Sequence, residues 1–246
     1  MFTRLISWVQ AGKLVFASIS AIVSAYYSTN AMSQHDELKQ LIEADSDEGE
    51  RRVVKWLKKD KENTLVLSRA VSKFGFPNLV VAEFQLGTDR KADFALLGRY
   101  SGGFSIHFVE IEPPNAKLYT KQGVPHKRLA GAIKQIEDWK IFVETKRSMI
   151  LDELEKAFKS RELIWGTTRE VIDNAGLRLH DPIAWLQFYY HIIIGRRKTM
   201  SADDLQRKAA ALHLKQVEIL TFDRLLEFAL NERGSISGPR DQEIGP

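Results

Sequence analysis

Val80-Val81-Ala82-Glu83-Phe84, Ala92-Asp93-Phe94-Ala95-Leu96-Leu97 and Phe108-Val109-Glu110-Ile111-Glu112-Pro113-Pro114 decide how this chain is read. The segments 79–85, 91–98 and 103–112 are rich in Val, Phe, Ile and Leu, as half-buried strands are. Leu86-Gly87-Thr88-Asp89-Arg90 and Ser101-Gly102-Gly103 supply turn chemistry between them. Strands joined so tightly predict an antiparallel meander. Pro113-Pro114 closes the third strand, because neither proline can donate to a ladder.

Period-two alternation puts Glu110 and Glu112 on one face of their strand, the side that carries Phe104, Ile106 and Phe108. Carboxylates on such a side are costly unless a metal or hydrogen bonds compensate. With the neighbouring strand in register, Asp93 reaches the same edge. One acid on a strand and two at i, i+2 on the next is a way for a sheet to collect hard oxygen ligands. The cation this suits is Mg²⁺, with Mn²⁺ able to substitute, since Mg²⁺ takes one or two carboxylates and keeps several waters. The Ile111 carbonyl between the acids is a further candidate ligand. Taken singly, each acid also reads as a charged strand edge that guards against aggregation.

Positive charge near these acids is offered by Lys91, two residues before Asp93 and on its face, and by Lys117 and Lys121 further on. Gln135 sits one turn into the helix that follows, where its amide can orient water or a carboxylate. Arg196-Arg197-Lys198 reads equally as a phosphate contact or as a solvated cluster. The histidines, among them His107, His126, His180, His191 and His213, show no paired metal-ligand spacing and read as core or surface residues.

Outward from the meander, a helix is expected over 46–61, with Ser46-Asp47 as its cap and Glu48 and Glu50 in its acidic first turn. Glu50 can project toward the acidic strand end, but its position favours a capping or solvated role. A short helix follows at 65–74, with Pro77 in a turn. After the meander come an irregular connector over 115–126, a helix over 129–144 and another over 148–161. The apolar run 186–194 predicts a central strand buried on both faces. A helix from the Ser201 cap to 212, a short strand at 217–220 and a last helix to 230 complete the order. The fold class is thus α/β, a mixed sheet of αβββαβ order with extra C-terminal helices.

The organisation expected is an apolar segment 1–31, a helical region 32–62, a main domain 63–230 and a disordered tail 231–246. Residues 14–27 are almost continuously apolar yet shorter than the roughly 20 residues a membrane span needs. They read as a weak inner-membrane anchor, as a signal peptide, or as an upstream extension of a protein that starts at Met32. The corresponding location is the cytoplasm, with or without a membrane tether.

The 246 residues contain no cysteine, which excludes disulfides, cysteine-bound zinc and thiol nucleophiles. A net charge of +4 leans toward polyanionic partners. No phosphate-cradling or dinucleotide fingerprint is present, so no small-molecule nucleotide cofactor is expected.

Glu83-Phe84-Gln85-Leu86-Gly87, Lys91-Ala92-Asp93-Phe94, Val109-Glu110-Ile111-Glu112-Pro113-Pro114, Leu118-Tyr119-Thr120-Lys121-Gln122-Gly123 and Gln135-Ile136 with Trp139 together resemble the nuclease domain of Shedu anti-phage defence proteins. That domain is part of the PD-(D/E)XK nuclease superfamily. Ile194-Gly195-Arg196-Arg197 and Leu220-Thr221-Phe222-Asp223-Arg224-Leu225-Leu226 are similar to its C-terminal part. The resemblance implies a restriction-endonuclease-like core and a metal-dependent DNA endonuclease of bacterial defence, acting as a homo-oligomer. It makes Asp93 and Glu110 metal ligands, puts Glu112 at the superfamily's lysine position, and matches Gln135 to a helix glutamine found in part of the superfamily. The departure at Glu112 keeps a second reading open, a catalytically inactive module of the same fold for nucleic-acid binding or assembly.

Overall fold

The computed structural model describes residues 33–44, 48–72, 77–87, 90–160 and 171–230. Three helices come first: α1 (Gln34–Glu43), α2 (Gly49–Leu57) and α3 (Lys61–Val71). The meander β1 (Pro77–Gln85), β2 (Lys91–Tyr100) and β3 (Gly103–Ile111) follows, then α4 (Lys127–Thr145) and α5 (Arg147–Ser160). The chain returns as β4 (Trp185–Ile193), then forms α6 (Ala202–Lys215), β5 (Glu218–Leu220) and α7 (Phe222–Leu230).

The five strands make one sheet in the order β1-β2-β3-β4-β5. β1, β2 and β3 pair antiparallel as the tight turns require. β4 joins β3 in parallel after the α4–α5 crossover, and β5 joins β4 in parallel. The expected αβββαβ order is present, within a mixed α/β sheet carrying helices on both faces.

Each face has its own core. On one, Phe104, Ile106 and Phe108 pack with Leu129, Ile136 and Trp139 of α4 and with Ile150, Leu154 and Phe158 of α5. On the other, Phe94, Leu96, Val109 and Ile111 pack with Leu38 of α1, Val53 and Trp56 of α2, Leu67 of α3 and Leu225 of α7. Trp139, Phe104 and Phe108 are fully buried, and each such side chain contributes about 1.5–3 kcal/mol.

Several expectations change in detail. Pro77 begins β1 instead of a turn. Within β1, Glu83 takes φ 55°, a left-handed conformation uncommon for a residue other than glycine. β4 is buried on both faces only from Tyr190 onward, because β5 pairs with it only from His191 to Ile193. The connector after β3 is a small hairpin. Thr120 N–H donates to the Val124 carbonyl and His126 N–H to that of Leu118, both at 2.8 Å, with Gly123 at φ 79° in the turn.

The membrane-tether expectation, and with it an inner-membrane location, is corrected. Among the described residues no helix is long and apolar enough to cross a membrane. Segment 1–31, on which that expectation fell, lies outside the described residues, as do the Ser46-Asp47 cap and the tail 231–246.

Candidate active site

Where β2 begins and β3 ends, the ladder gives way to side chains. The last regular pair is Phe94 with Val109. Beyond it, the Ile111 N–H donates to Asp93 Oδ2 at 2.8 Å, so a carboxylate takes the place of a strand carbonyl. Glu112 N–H donates to the Ile193 carbonyl of β4 at 2.9 Å, and the Pro113 carbonyl accepts from Ala116 N and Gly195 N. The acidic run is thereby held from both neighbouring strands. Gly195 is required here: its φ is +63°, and a Cβ would stand 2.6 Å from the Ala116 carbonyl oxygen.

Glu110 is the most perturbed acid of the group. Burial pushes its carboxyl up to about 9, aided by the charges of Asp93, Glu112 and Glu50 and opposed by a hydrogen bond from Gln135. Glu112 is pushed up to about 7 by burial and by Glu50, against the pull of Arg128. The Arg128 guanidinium stands 3.8 Å from its carboxylate. Asp93 is raised by burial, and the Ile111 N–H and Lys91 work against the rise. Among the described residues neither Glu110 Oε2 nor Glu112 Oε2, both buried, has a hydrogen-bond partner, and only Glu112 Oε2 has an ion pair, to Arg128. Carboxylate oxygens so thinly compensated are costly.

Glu50 belongs to this group, a placement its sequence position disfavoured. It lies on the first turn of α2, where Gly49 meets the Pro114 ring so closely that a Cβ would stand 3.1 Å away. That approach brings Glu50 to the acids. Its own carboxyl is raised by burial and then by Asp93. The one signal in the sequence was an acid in a helix first turn, and that position has an ordinary dipole explanation.

Lys91 lies at the same end of β2, where its ammonium pairs with Glu83 at 3.6 Å. Glu83 also takes Lys58 at 2.5 Å. Gln135 Nε2 donates to the Lys91 carbonyl at 3.3 Å, so one α4 side chain touches both β2 and Glu110. Lys117 and Lys121 are exposed on the connector hairpin. Arg196 is engaged elsewhere: its Nε and Nη2 donate to Asp223 Oδ1 at 3.1 and 3.0 Å, which ties the end of β4 to α7. Arg197 pairs with Glu227 at 2.8 Å. Beside Gln135 a groove of about 430 Å³ is lined by Arg90, Lys91, Gly131, Lys134, Gln135, Asp138 and Trp139.

Two histidines that looked unrelated also meet. His107 Nδ1 and His191 Nε2 are 3.0 Å apart in the core between β3 and β4, and His191 Nδ1 lies 3.1 Å from Glu218. They are 84 residues apart in sequence, so no spacing could have shown the contact.

The donor set of the acidic group is all hard oxygen, which is the chemistry Mg²⁺ and Mn²⁺ prefer. The buried Glu110 Oε2, without a hydrogen-bond partner among the described residues, and Glu112 Oε2, held only by the ion pair to Arg128, fit a cation. In the present arrangement, among the described residues, no group of three or more His, Cys, Asp or Glu side chains has the spacing to hold a metal ion.

A mixed α/β sheet between helical layers, with carboxylates gathered where its antiparallel strands end, defines the class. The chain belongs to the Shedu family: the family model described as Shedu protein SduA, C-terminal, matches residues 47–226. No curated protein matches the chain.

Proposed function

We propose that the protein is a metal-dependent DNA endonuclease of anti-phage defence, built on a restriction-endonuclease-like core. The observation that carries this reading is the convergence of Glu50, Asp93, Glu110 and Glu112, whose carboxyls are raised first by burial and then by one another's charges, around a buried Glu110 oxygen that has no hydrogen-bond partner among the described residues. Family membership supports the same reading.

Asp93 and Glu110 would hold the cation, with Glu112 or Glu50 completing the set alongside water and substrate phosphate. Mg²⁺ needs only one or two protein carboxylates, so a preformed cage of three is not a requirement. When bound, the metal supplies charge neutralisation at phosphate oxygens and acidification of water. The chain's own groups do the rest. Ile111 N–H fixes Asp93, and Gln135 fixes Glu110 against β2. Glu112, at the superfamily's lysine position, has a carboxyl near neutrality, which suits it to accept a proton from water. Positive charge comes from Arg128 and Lys91 instead of a motif lysine.

Thermal stabilisation by Mn²⁺ or Mg²⁺ tests the metal half of this proposal, since a ligand that binds only the folded state raises the midpoint. The expected result is stabilisation in the wild type that is lost in Asp93→Ala and Glu110→Ala. No stabilisation by either metal would favour the inactive binding or assembly module.

A further inference from the structure

We propose that the groove between the start of β2 and α4 binds the phosphodiester backbone of a DNA strand beside the carboxylate group. The inference rests on the nuclease reading above and extends it to a substrate subsite.

Two observations point to a ligand independently. The first is charge. Arg90, Lys134 and Lys91, the last also paired with Glu83, outnumber one acid, Asp138, in the lining of a groove whose volume of about 430 Å³ lies in the range of ligand clefts. Lys134 is exposed. Arg90 lies 5.7 Å from the Phe142 ring, a cation–π contact that anchors its stem.

The second is Gly131. It occupies the interior of α4 on the exposed side, and a Cβ there would meet nothing within 4 Å. No packing or backbone demand accounts for a glycine at this place, and after proline it is the poorest helix former. What glycine does provide is room for a ligand to approach the helix backbone.

Gln135 connects the groove to chemistry, because its side chain holds both the Lys91 carbonyl and Glu110. A strand lying here would deliver the neighbouring phosphodiester to the acids.

The test is fluorescence anisotropy of a short labelled duplex with the full chain in EDTA, over a salt series. Lys134→Glu, Arg90→Glu and Gly131→Leu are compared with the wild type. The two charge reversals should weaken binding about tenfold or more and each reduce the salt slope by about 0.9 or more. Gly131→Leu should weaken binding with the slope unchanged, since it fills the groove without altering charge. Arg90→Glu gives up its contact with Phe142, so Lys134→Glu, at an exposed helix position, is the cleaner arm if Arg90→Glu folds poorly. Wild-type affinity and slope in Lys134→Glu and Gly131→Leu, or no binding by the wild type, would overturn the proposal. DNA binding through the groove without cleavage in any metal would remove the nuclease reading and leave the groove standing. Cleavage that persists while the groove variants bind normally would do the reverse.

Discussion

Replacing Glu110 by Gln gives a direct reading of how strained the acidic group is without metal. The folded protein keeps the Glu110 carboxyl protonated up to about 9, whereas an ordinary glutamate loses its proton near 4.5. Between those values the folded state binds a proton that the unfolded state has released. Stability therefore falls as pH rises through that window. Each unit corresponds to about 1.4 kcal/mol, so between about pH 5 and about pH 8 some three units of the shift, or about 4 kcal/mol, would be expressed. Water reaches this incompletely buried group, and discounting for it leaves about 2–4 kcal/mol. A glutamine of the same shape has no proton to hold. In EDTA, Glu110→Gln should match the wild type in thermal midpoint at about pH 5 and exceed it by about 4–16 °C at about pH 8, at 2–4 °C per kcal/mol for a chain of this size. Differential scanning fluorimetry across that range measures it. A midpoint difference that stays constant with pH would refute the reasoning, because the Glu110 carboxyl would then titrate alike in the folded and unfolded chain.

Three further outcomes follow from particular contacts. Glu50→Gln should lower metal-dependent cleavage roughly 10–100-fold, the scale for groups that orient metal ligands, while the protein stays folded; unchanged cleavage would return Glu50 to an ordinary helix-start acid. Asp223→Ala leaves Arg196 without its carboxylate and the Arg197 N–H without its acceptor, so denaturant unfolding should show a loss of about 2–4 kcal/mol. A loss under about 0.5 kcal/mol, the scale of exposed pairs, would mean the clamp is merely a surface ion pair. Gly131→Ala should stabilise α4 by about 0.5–1 kcal/mol, since the added methyl meets nothing; destabilisation would mean that the backbone there needs glycine.

The sheet and its acids were legible because their signals are local. Apolar alternation, Gly-rich turns and Pro113-Pro114 mark the meander, and the i, i+2 spacing of Glu110 and Glu112 marks the strand end. What escaped depends on contacts distant in sequence. Glu50 joins the acids only because Gly49 packs on Pro114, more than 60 positions away, a closeness nothing in its own helix announces. Arg196 read equally as a phosphate contact or a solvated residue, and its pairing with Asp223 was hidden because that partner lies beyond another helix. β4 read as fully buried from its composition, yet β5 is too short to cover its first half. The left-handed Glu83 gives no sequence sign, because glycine would mark such a position and glutamate does not.

The most direct test of the central claim is incubation of linear and supercoiled DNA with the full chain in Mg²⁺, Mn²⁺ or EDTA, with Asp93→Ala and Glu110→Ala alongside. Cutting in either metal, absent in EDTA and lost in both variants, is the expected result. Cutting that survives EDTA or both substitutions, or no cutting in either metal, would contradict the assignment of this carboxylate group as a metal-dependent hydrolytic centre.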